Sequence, residues 1–533
     1  MVFPRVQLEA LESKRFAVAA VTLWAGEHTA KAVRALQILL PEAKVQSVEE
    51  KALICCRPAS ALTCEGYTLQ LTKDGVQLRY GAYAGLVRGL ATLSLLFTKT
   101  EEGLFLPVGR VEDAPVFGHR GVMIDPARGV LPYETLRQYV ILAAKARMNV
   151  FHLHLTDSPG VAVQLDSYPA EMILPGAYTK TQMAELNELC DTLALELIPE
   201  LDMPAHGKKL LQVLPELHCQ VEAEMPWCVC AGNEETYAFY ERAIREICEI
   251  FPGGKYFHIG GDELEFSDLT PPRLCHWERC PRCRAKMAEE GIADKREFYY
   301  YFVNRINRFV RSLGRQTVMW SEQIDCTRPV GINTDVLMQF WRVAYPGRGP
   351  IEGCSMQRQL EMGYTVINSH YPEAYVDLEK YMNTDGLATW RPDERPECAA
   401  GLQSRVIGSE VCAWECGNTE NFGHYEHSLP SAILLMGDKL WGGRKESYAP
   451  AAAAMTRALL GAATPEDCNV FAAVGDVFPP RSEAKCYPDK ITAAKEELTA
   501  LAELLGDNER FAGYEHFAAV YLACVKEALT YRK

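Results

Sequence analysis

The stretch Tyr256-Phe257-His258-Ile259-Gly260-Gly261-Asp262-Glu263 decides the fold of this chain. It begins as a short apolar run with the length of a buried β-strand, and it ends in two glycines and two acids. Seven other short apolar runs follow the same plan, each leading into a stretch long enough for a helix: 121–125, 150–156, 195–202, 317–321, 336–341, 365–369 and 406–413. Strands that alternate with helices over about 300 residues predict an α/β protein built on a (β/α)8 TIM barrel.

Two regions of different character flank the barrel pattern. Residues 1–113 mix alternating, strand-like runs with helical stretches, and Asp74-Gly75 between two such runs indicates a hairpin. Residues 114–440 carry the barrel, whereas residues 441–533 are rich in alanine and contain two amphipathic stretches, 491–505 and 509–531. We therefore predict a small N-terminal α+β domain, a barrel domain and a C-terminal helical region.

The composition is that of an ordinary globular protein. The 533 residues are 48% hydrophobic and 23% charged, and the formal net charge is −15. Nucleic acids and anionic membranes attract a basic face, which an acidic chain of this kind does not predict. No apolar run reaches the ~20 residues that span a bilayer. We expect neither a nucleic-acid nor a membrane partner, and the composition leaves the oligomeric state open.

The cysteines favour a reducing compartment. Nineteen cysteines are scattered along the chain without the regular spacing of a disulfide scaffold. Residues 16–26 follow two basic residues and could form the apolar core of a signal peptide, but Glu9 and Glu12 interrupt the positive leader. A buried strand of the N-terminal domain explains the same run. We predict a cytoplasmic protein, with secretion as the alternative.

A further group of cysteines follows the stretch that decides the fold. Cys275, Cys280 and Cys283 include a C-x-x-C pair, and His276 could serve as a fourth ligand, a set typical of structural zinc sites. A loop of reduced cysteines explains the pattern equally well. We predict that the chain binds no metal and no cofactor.

Functional side chains of a barrel gather at the carboxyl ends of its strands. Acids, imidazoles and tryptophans follow the predicted strands at these ends: Asp125, Arg128, His152, His154, Asp157, Glu200, Asp202, His206, His258, Asp262, Glu263, Trp320, Glu322, Trp341, Tyr375, Asp377, Trp414 and Glu415. Tryptophan suits the apolar face of a sugar ring, and carboxylates with an arginine can bind its hydroxyls. An adjacent Asp-Glu pair supplies a general acid and a second charge.

The same residues leave a metal-based chemistry open. His152 and His154 lie two residues apart, on one face of a strand. Together with Asp157, His206 or His258 they could form the zinc cage of a barrel amidohydrolase. Core and buried polar roles for the two imidazoles are the competing interpretation.

Several ordered motifs are similar to those of one enzyme family. The sequence His258-Ile259-Gly260-Gly261-Asp262-Glu263 resembles the catalytic signature of the β-N-acetylhexosaminidases of glycoside hydrolase family 20. The flanking motifs are similar and follow in the same order: Arg120-Gly121, Asp125-Pro126-Ala127-Arg128, 149–157, 198–206, Trp320-Ser321-Glu322 and Tyr375-Val376-Asp377. Glu65-Gly66-Tyr67-Thr68-Leu69 and 85–90 also resemble the small N-terminal domain of that family.

The resemblance implies hydrolysis of terminal β-linked GlcNAc or GalNAc with retention, in which the substrate's own 2-acetamido group acts as the nucleophile. It makes Glu263 the general acid and Asp262 the residue that orients the acetamido group and stabilises the developing positive charge. Tyr375 would donate to the acetamido oxygen. Sugar binding would fall to Arg128, Asp377, Trp320, Trp341, Trp414 and Glu415. Asp157 and His206 would form a polar pair that keeps Glu263 protonated.

The chain departs from the family pattern in two places. Ala205 stands where the third-strand motif has glycine, and Glu415 directly follows Trp414, so that Cys416 takes the expected place of the acid. The second change puts the role of Glu415, and the choice of sugar epimer, in doubt. Two other functions stay open: the zinc-dependent amidohydrolase, and a carbohydrate-binding protein without activity on a retained barrel.

Overall fold

The computed structural model describes residues 3–48, 51–223, 225–266, 269–342, 344–345, 349–350, 353–376, 384–415, 422–446 and 499. The predicted helices at 491–505 and 509–531 therefore lie outside the described residues, except for Thr499. So does most of the predicted C-terminal region.

The N-terminal part of the chain forms a mixed sheet of eight strands. These strands are β1 (Leu8–Val18), β2 (Val21–Trp24), β3 (Val45–Ser47), β4 (Ile54–Pro58), β5 (Tyr67–Thr72), β6 (Gly75–Tyr80), β7 (Thr98–Thr100) and β8 (Gly103–Asp113). Their order is β1-β8-β5-β6-β4-β2-β3, with β7 paired to β8. Two helices, α1 (Thr29–Leu39) and α2 (Tyr83–Leu96), pack against each other, and α2 also packs against β5 and β6.

Local sequence explains the elements of this sheet. The predicted hairpin is confirmed, because β5 and β6 pair antiparallel and Thr72 lies opposite Gly75 at the turn. The segment 16–26, predicted as one buried strand, is divided between two strands. The end of β1 alternates half-buried and exposed residues and pairs with β8, whereas β2 alternates buried and half-buried residues between β3 and β4.

Eight parallel strands close into the predicted barrel. They are β9 (His119–Ile124), β10 (Val150–His154), β14 (Glu196–Met203), β15 (Tyr256–Gly260), β16 (Gln316–Trp320), β17 (Leu337–Phe340), β20 (Val366–Asn368) and β22 (Val406–Ala413). They pair in this order, and β22 closes the ring against β9. Nearly every residue of these strands is buried, as expected for parallel strands covered on both faces.

Helices and short strands complete the molecule. The helices are α3 (Tyr133–Lys145), α4 (Lys180–Thr192), α5 (Lys208–Val213), α6 (Glu234–Ile250), α7 (Pro281–Glu290), α8 (Lys295–Ser312), α9 (Met356–Glu361), α10 (Tyr371–Ala374), α11 (Thr384–Thr389) and α12 (Phe422–Gly442). The short strands are β11 (Thr156–Asp157), β12 (Gly160–Val163), β13 (Ile173–Tyr178), β18 (Ala344–Tyr345), β19 (Gly349–Pro350) and β21 (Tyr375–Val376). None of the helices in the described part of the chain combines the length and apolar character of a bilayer-spanning segment.

The outer helices show why the alternating pattern folds this way. Helix α6 is capped by Asn233, whose side chain accepts from the backbone N–H of Glu235. Tyr237, Tyr240 and Ile244, spaced three or four residues apart, are buried on one face. Helix α12 packs against β22, β9 and α3, so it continues the helical layer around the barrel beyond residue 440.

Buried ion pairs join the N-terminal sheet to the barrel. Glu65, just before β5, lies 3.0 Å from Arg88 of α2 and 2.6 Å from Arg120 of β9. Both guanidinium groups are fully buried. Burial alone would raise the pKa of Glu65, but the two arginines outweigh it and lower that pKa to about 2.

We predict that Glu65→Gln lowers the free energy of unfolding at neutral pH by at most about 3 kcal/mol. A carboxyl whose folded pKa is below its unfolded pKa stabilises the protein above the unfolded value. This contribution is lost as the pH falls through about 4 toward 2. Urea denaturation at pH 7 and pH 3 measures it, and the deficit of the variant should shrink at pH 3.

Glu188→Gln is the matched control, because Glu188 pairs with Arg34 on the surface, where both side chains are more than half exposed. It should cost less than about 1 kcal/mol. Equal losses in the two variants, or a loss at Glu65 that does not change with pH, would contradict a stabilising role for the buried pairs.

Candidate active site

Asp262 and Glu263 follow β15 directly, and the backbone turns sharply there. Gly260 and Gly261 have φ of +68° and +100°, and Glu263 has φ of +50°. A Cβ atom on Gly260 would lie 1.9 Å from a carboxylate oxygen of Asp202, so glycine is required at this position. The backbone therefore turns at the two glycines, so that Asp262 and Glu263 leave the line of the strand.

Glu263 is surrounded by groups that favour its charged form. Its carboxylate lies 3.2 Å from Nε2 of His206 and 3.6 Å from the guanidinium of Arg342. Burial raises the pKa of Glu263, but the hydrogen bond from His206 and the charges of His206, Arg342 and Arg128 outweigh it, so the net pKa lies below its ordinary value. The sequence predicts instead that the surrounding residues keep this acid protonated. The cause of the difference is that the imidazole contacts the acid directly.

His206 forms its closest ion pair with Asp202, and not with the predicted partner Asp157. Its Nδ1 lies 2.6 Å from Asp202, the last acid of β14, whereas Asp157 contacts Arg128 and His154. Burial lowers the pKa of His206, but the charges of Asp202, Asp157 and Asp262 outweigh it and hold the pKa well above its usual range. The predicted pair of Asp157 and His206 is therefore replaced by a chain of three groups, Asp202, His206 and Glu263.

The surroundings of Asp262 disfavour its charged form, whereas those of Glu263 favour it. Burial raises its pKa well above the ordinary range, and the charges of Asp202, Glu322 and Glu263 add to the effect against His206. Its Oδ1 lies 3.8 Å from Nδ1 of His206. Neighbouring carboxyls with pKa values moved apart are typical of pairs that divide acid and charge-stabilising roles.

Arg128 lies beside this pair and is held by two acids. Its guanidinium contacts Asp125 at 3.0 Å and Asp157 at 2.6 Å, and it stacks over Trp414 at 5.0 Å from the ring centroid. The side chain is still 22% exposed. It therefore presents a fixed positive charge at the mouth of the barrel.

Four aromatic side chains form one wall beside the acids. Trp341 stacks on Tyr375 with an angle of 8° between the rings and 5.6 Å between their centroids. Trp414 lies 6.0 Å from Tyr375 and 5.7 Å from Trp320. The structure thus brings together all the predicted aromatic site residues, and Trp320 forms the fully buried base of this wall.

The eighth-strand region is described only in part. Glu415 has φ of +59°, and its backbone N–H donates to Asp125. Asp377 and Cys416 lie outside the described residues, so the predicted role of Asp377 stays a prediction.

The histidines of β10 belong to an ion network inside the barrel. His152 contacts Glu200 at 3.1 Å and Glu410 at 2.9 Å, and His154 contacts Glu200 at 2.7 Å and Asp157 at 3.1 Å. Each ring thus has both nitrogens against carboxylates. This pairing favours the buried polar role over the zinc cage, since a metal would need one of the same nitrogens.

Two contacts to Glu263 come from residues that the strand-end pattern did not select. Trp227, in the loop after α5, donates its indole N–H to the Glu263 carbonyl at 2.9 Å. Arg342 follows Trp341, and its place directly after a predicted strand end is the signal that could have identified it. Glu322 was noted at a strand end but not assigned a role. It accepts from the Glu263 N–H at 2.7 Å and from the Trp341 indole at 2.6 Å.

We predict that Gly260→Ala lowers the free energy of unfolding by several times the cost of Gly253→Ala. Gly253 has φ of +77° with nothing within 4 Å of its added Cβ. Gly253→Ala therefore measures only the cost of a side chain in the left-handed backbone conformation, about 1–2 kcal/mol. At Gly260 the contact with Asp202 is added. Urea denaturation of both variants measures the difference, and equal costs would show that the close approach does not constrain the site.

Comparisons with known proteins identify the family of this chain. The family described as "Glycosyl hydrolase family 20, catalytic domain" matches residues 117–421, and "Glycosyl hydrolase family 20, domain 2" matches residues 1–114. A beta-hexosaminidase of Akkermansia muciniphila is 30% identical over 307 residues, which cover 53% of this chain and 60% of that protein. The chain therefore matches less than two thirds of this relative.

Solved structures share the fold. The beta-N-acetylhexosaminidase of Bacteroides fragilis superposes with a TM-score of 0.72 at 22% identity, covering 84% of this chain and 92% of that one. A mutant Streptomyces plicatus beta-hexosaminidase, solved in complex with product (GlcNAc), gives 0.68 at 20% identity and covers 87% and 97%. Because the catalytic-domain family spans more than half of the 533 residues, this chain belongs to glycosyl hydrolase family 20.

Proposed function

We propose that this protein is an exo-acting, retaining β-N-acetylhexosaminidase that removes terminal β-linked GlcNAc or GalNAc from oligosaccharides or glycoconjugates. The observation that carries the proposal is the Asp262-Glu263 pair, turned into the barrel mouth beside an aromatic wall. Membership of the family and the product bound to the Streptomyces plicatus relative support this substrate class. The cytoplasmic location stays a prediction.

Glu263 is the proposed general acid. His206 holds one nitrogen against Asp202 and the other against Glu263, so a proton on the imidazole faces the carboxylate across 3.2 Å. A proton shared along this chain can be given by Glu263 to the leaving oxygen and returned by the water that completes the reaction. The backbone contacts from Glu322 and Trp227 fix the direction in which the carboxyl points.

Asp262 is the proposed partner of the substrate's amide. In the free protein its raised pKa favours a neutral carboxyl. An acetamido N–H that donates to Asp262 stabilises the charged form and lowers this pKa. The new negative charge raises in turn the pKa of the adjacent Glu263. A charged Asp262 therefore favours the protonated form of Glu263, the residue that donates to the leaving oxygen.

The charged Asp262 then assists the chemistry. With its N–H held, the acetamido oxygen attacks the anomeric carbon, the glycosidic bond breaks, and Glu263 protonates the departing oxygen. Asp262 stabilises the positive charge of the oxazolinium ring until water opens it with overall retention. Tyr375, stacked on Trp341, would donate to the acetamido oxygen.

Arg128 and the wall would select a terminal sugar. The guanidinium of Arg128 is aimed by two acids and can donate to hydroxyls of the non-reducing sugar. Trp341 and Trp414 supply apolar faces for the ring and the acetyl methyl group. A binding protein without activity would keep these contacts, and turnover distinguishes it from the enzyme.

We predict that 4-nitrophenyl β-GlcNAc is hydrolysed far faster than 4-nitrophenyl β-glucoside, which differs in carrying a 2-hydroxyl. Only the first substrate supplies the internal nucleophile. Comparison of kcat/KM on the two glycosides tests this. Equal values would exclude attack by the acetamido group, and sugar binding with no turnover of either would favour the carbohydrate-binding protein.

We predict that Glu263→Gln and Asp262→Asn respond differently to the leaving group. Loss of the general acid should cost about 10²- to 10⁴-fold in kcat on substrates with a poor leaving group, such as a disaccharide. It should cost much less on an aryl glycoside, whose phenolate leaves without a proton. Asp262→Asn should lose activity on both, since the charge acts on the ring.

Glu361→Gln is the matched control, since Glu361 is an exposed acid on α9. Its kinetics should equal those of the unmodified protein. Wild-type rates in Glu263→Gln on the disaccharide, or the same leaving-group dependence in Asp262→Asn as in Glu263→Gln, would contradict the assigned roles.

A further inference from the structure

Four buried cysteines meet beside the active site. Cys219 and Cys230 lie in the segment between α5 and α6, and Cys280 and Cys283 lie at the start of α7. The sulfur atoms are separated by 3.5 Å (Cys230 to Cys283), 3.7 Å (Cys230 to Cys280) and 3.9 Å (Cys219 to Cys283). All four lie within 4.8 Å of one another.

This set differs from the one that the sequence indicates. The sequence predicted no bound metal, and its alternative was a zinc site of Cys275, Cys280 and Cys283 with His276. Neither Cys275 nor His276 belongs to the observed group. The other two sulfurs come from about 50–60 residues earlier in the chain. The barrel brings them close because they lie in the loop that follows the preceding strand.

We propose that Cys219, Cys230, Cys280 and Cys283 bind a zinc ion in tetrahedral coordination. Four sulfurs at about 2.3 Å from a common zinc ion lie about 3.8 Å apart, which agrees with the observed separations. A disulfide would require about 2.05 Å. Cys230 is nearly equidistant from two other sulfurs, as expected for ligands around one centre rather than for two bonded pairs.

The local backbone suits thiolate ligands. Cys280 is the N-cap residue of α7, and Cys283 lies in the first turn of this helix. The partial positive charge of a helix N-terminus stabilises thiolates there. Three basic residues, Arg279, Arg282 and Arg284, lie next to the two cysteines in sequence.

The segment that follows β14 and the start of α7 lie so close together at Gly232 that a larger residue would not fit there. A Cβ atom on Gly232 would lie 2.5 Å from the backbone nitrogen of Cys283. The Cys230 N–H donates to the carbonyl of Leu217, which brings Cys219 and Cys230 to the same end of their loop. The four sulfurs are therefore held in place from both sides.

An ion here would join the two loops that carry the acid and its imidazole. The first loop, between β14 and α6, bears His206 and Trp227, and the second, between β15 and α7, bears Glu263. Beyond the Trp227 contact to Glu263, the Cys228 thiol donates to the Leu264 carbonyl, and the Trp277 indole donates to the Val229 carbonyl. With four protein ligands the zinc keeps no open position, so its role is to position the loops and not to act on substrate.

Metal analysis of the purified full-length protein tests the proposal. We expect one zinc ion per chain, retained through gel filtration, and its release as a mercurial reagent titrates the thiols of the native protein. Expression with cobalt in place of zinc should give the thiolate charge-transfer and d–d bands of tetrahedral coordination. Disulfides among the four cysteines, or free thiols and no zinc, would overturn the proposal.

Single substitutions identify the ligands. Cys280→Ser and Cys283→Ser should lose most of the zinc and the cobalt bands, together with a lower melting temperature. Cys275→Ser is the control, since Cys275 is buried in the same loop but outside the group. Glu263→Gln should keep its full zinc content, so that a failure of the proposed hydrolysis remains distinguishable. Zinc retained in Cys280→Ser and Cys283→Ser would overturn the site.

Discussion

The buried carboxylate of Glu200 is the constraint on which the interior of the barrel depends. Strands β10, β14 and β15 place His154, Glu200 and His258 in register, so one acid meets imidazoles from both neighbouring strands. It lies 2.7 Å from His154 and 3.1 Å from His258, and it accepts from the Trp320 indole at 2.8 Å. Burial raises the pKa of Glu200, but these histidines outweigh it and hold the pKa well below its usual range. A charge so deeply buried is tolerated only while its partners stay in place, so it fixes the base of the aromatic wall.

Above this base, three residues at the barrel mouth have strained backbone conformations. His206, Glu263 and Glu415 follow three different strands, and each has a positive φ, which is uncommon for residues with side chains. Such conformations persist where surrounding contacts fix them. Glu263 is fixed at both its N–H and its carbonyl, by Glu322 and Trp227, and the Glu415 N–H is held by Asp125. Three residues that leave the strands and enter the barrel mouth therefore carry strained backbone that their contacts keep in place.

The strand-end pattern predicted the barrel, and many of the side chains that it selected lie together in the structure, because parallel strands present their carboxyl ends on one face. Asp262, Glu263, Arg128 and the aromatic residues were found in this way. The pattern could not assign partners. Four acids lie near His206, and only the fold decides that Asp202 takes its Nδ1 and that Asp157 turns to Arg128. Contacts made by loops were also out of reach, since Trp227 and Cys219 lie far in sequence from the residues they meet. Their positions depend on tertiary structure, which has no local periodicity.

The loops that carry Glu263 and His206 depend on contacts other than those of the barrel strands. A barrel fixes the ends of its strands, but the loops beyond them gain little restraint from the parallel ladder. Glu263 lies on one such loop and His206 on its neighbour, and the proposed proton chain needs their separation of 3.2 Å to be kept. A small movement between the loops would break that contact while leaving the barrel intact. A zinc ion on four cysteines divided between the same two loops would add to the hydrogen bonds that Trp227, Cys228 and Trp277 make between them. The proposed zinc site therefore lies where it would keep Glu263 close to His206, a contact that the barrel strands alone do not fix.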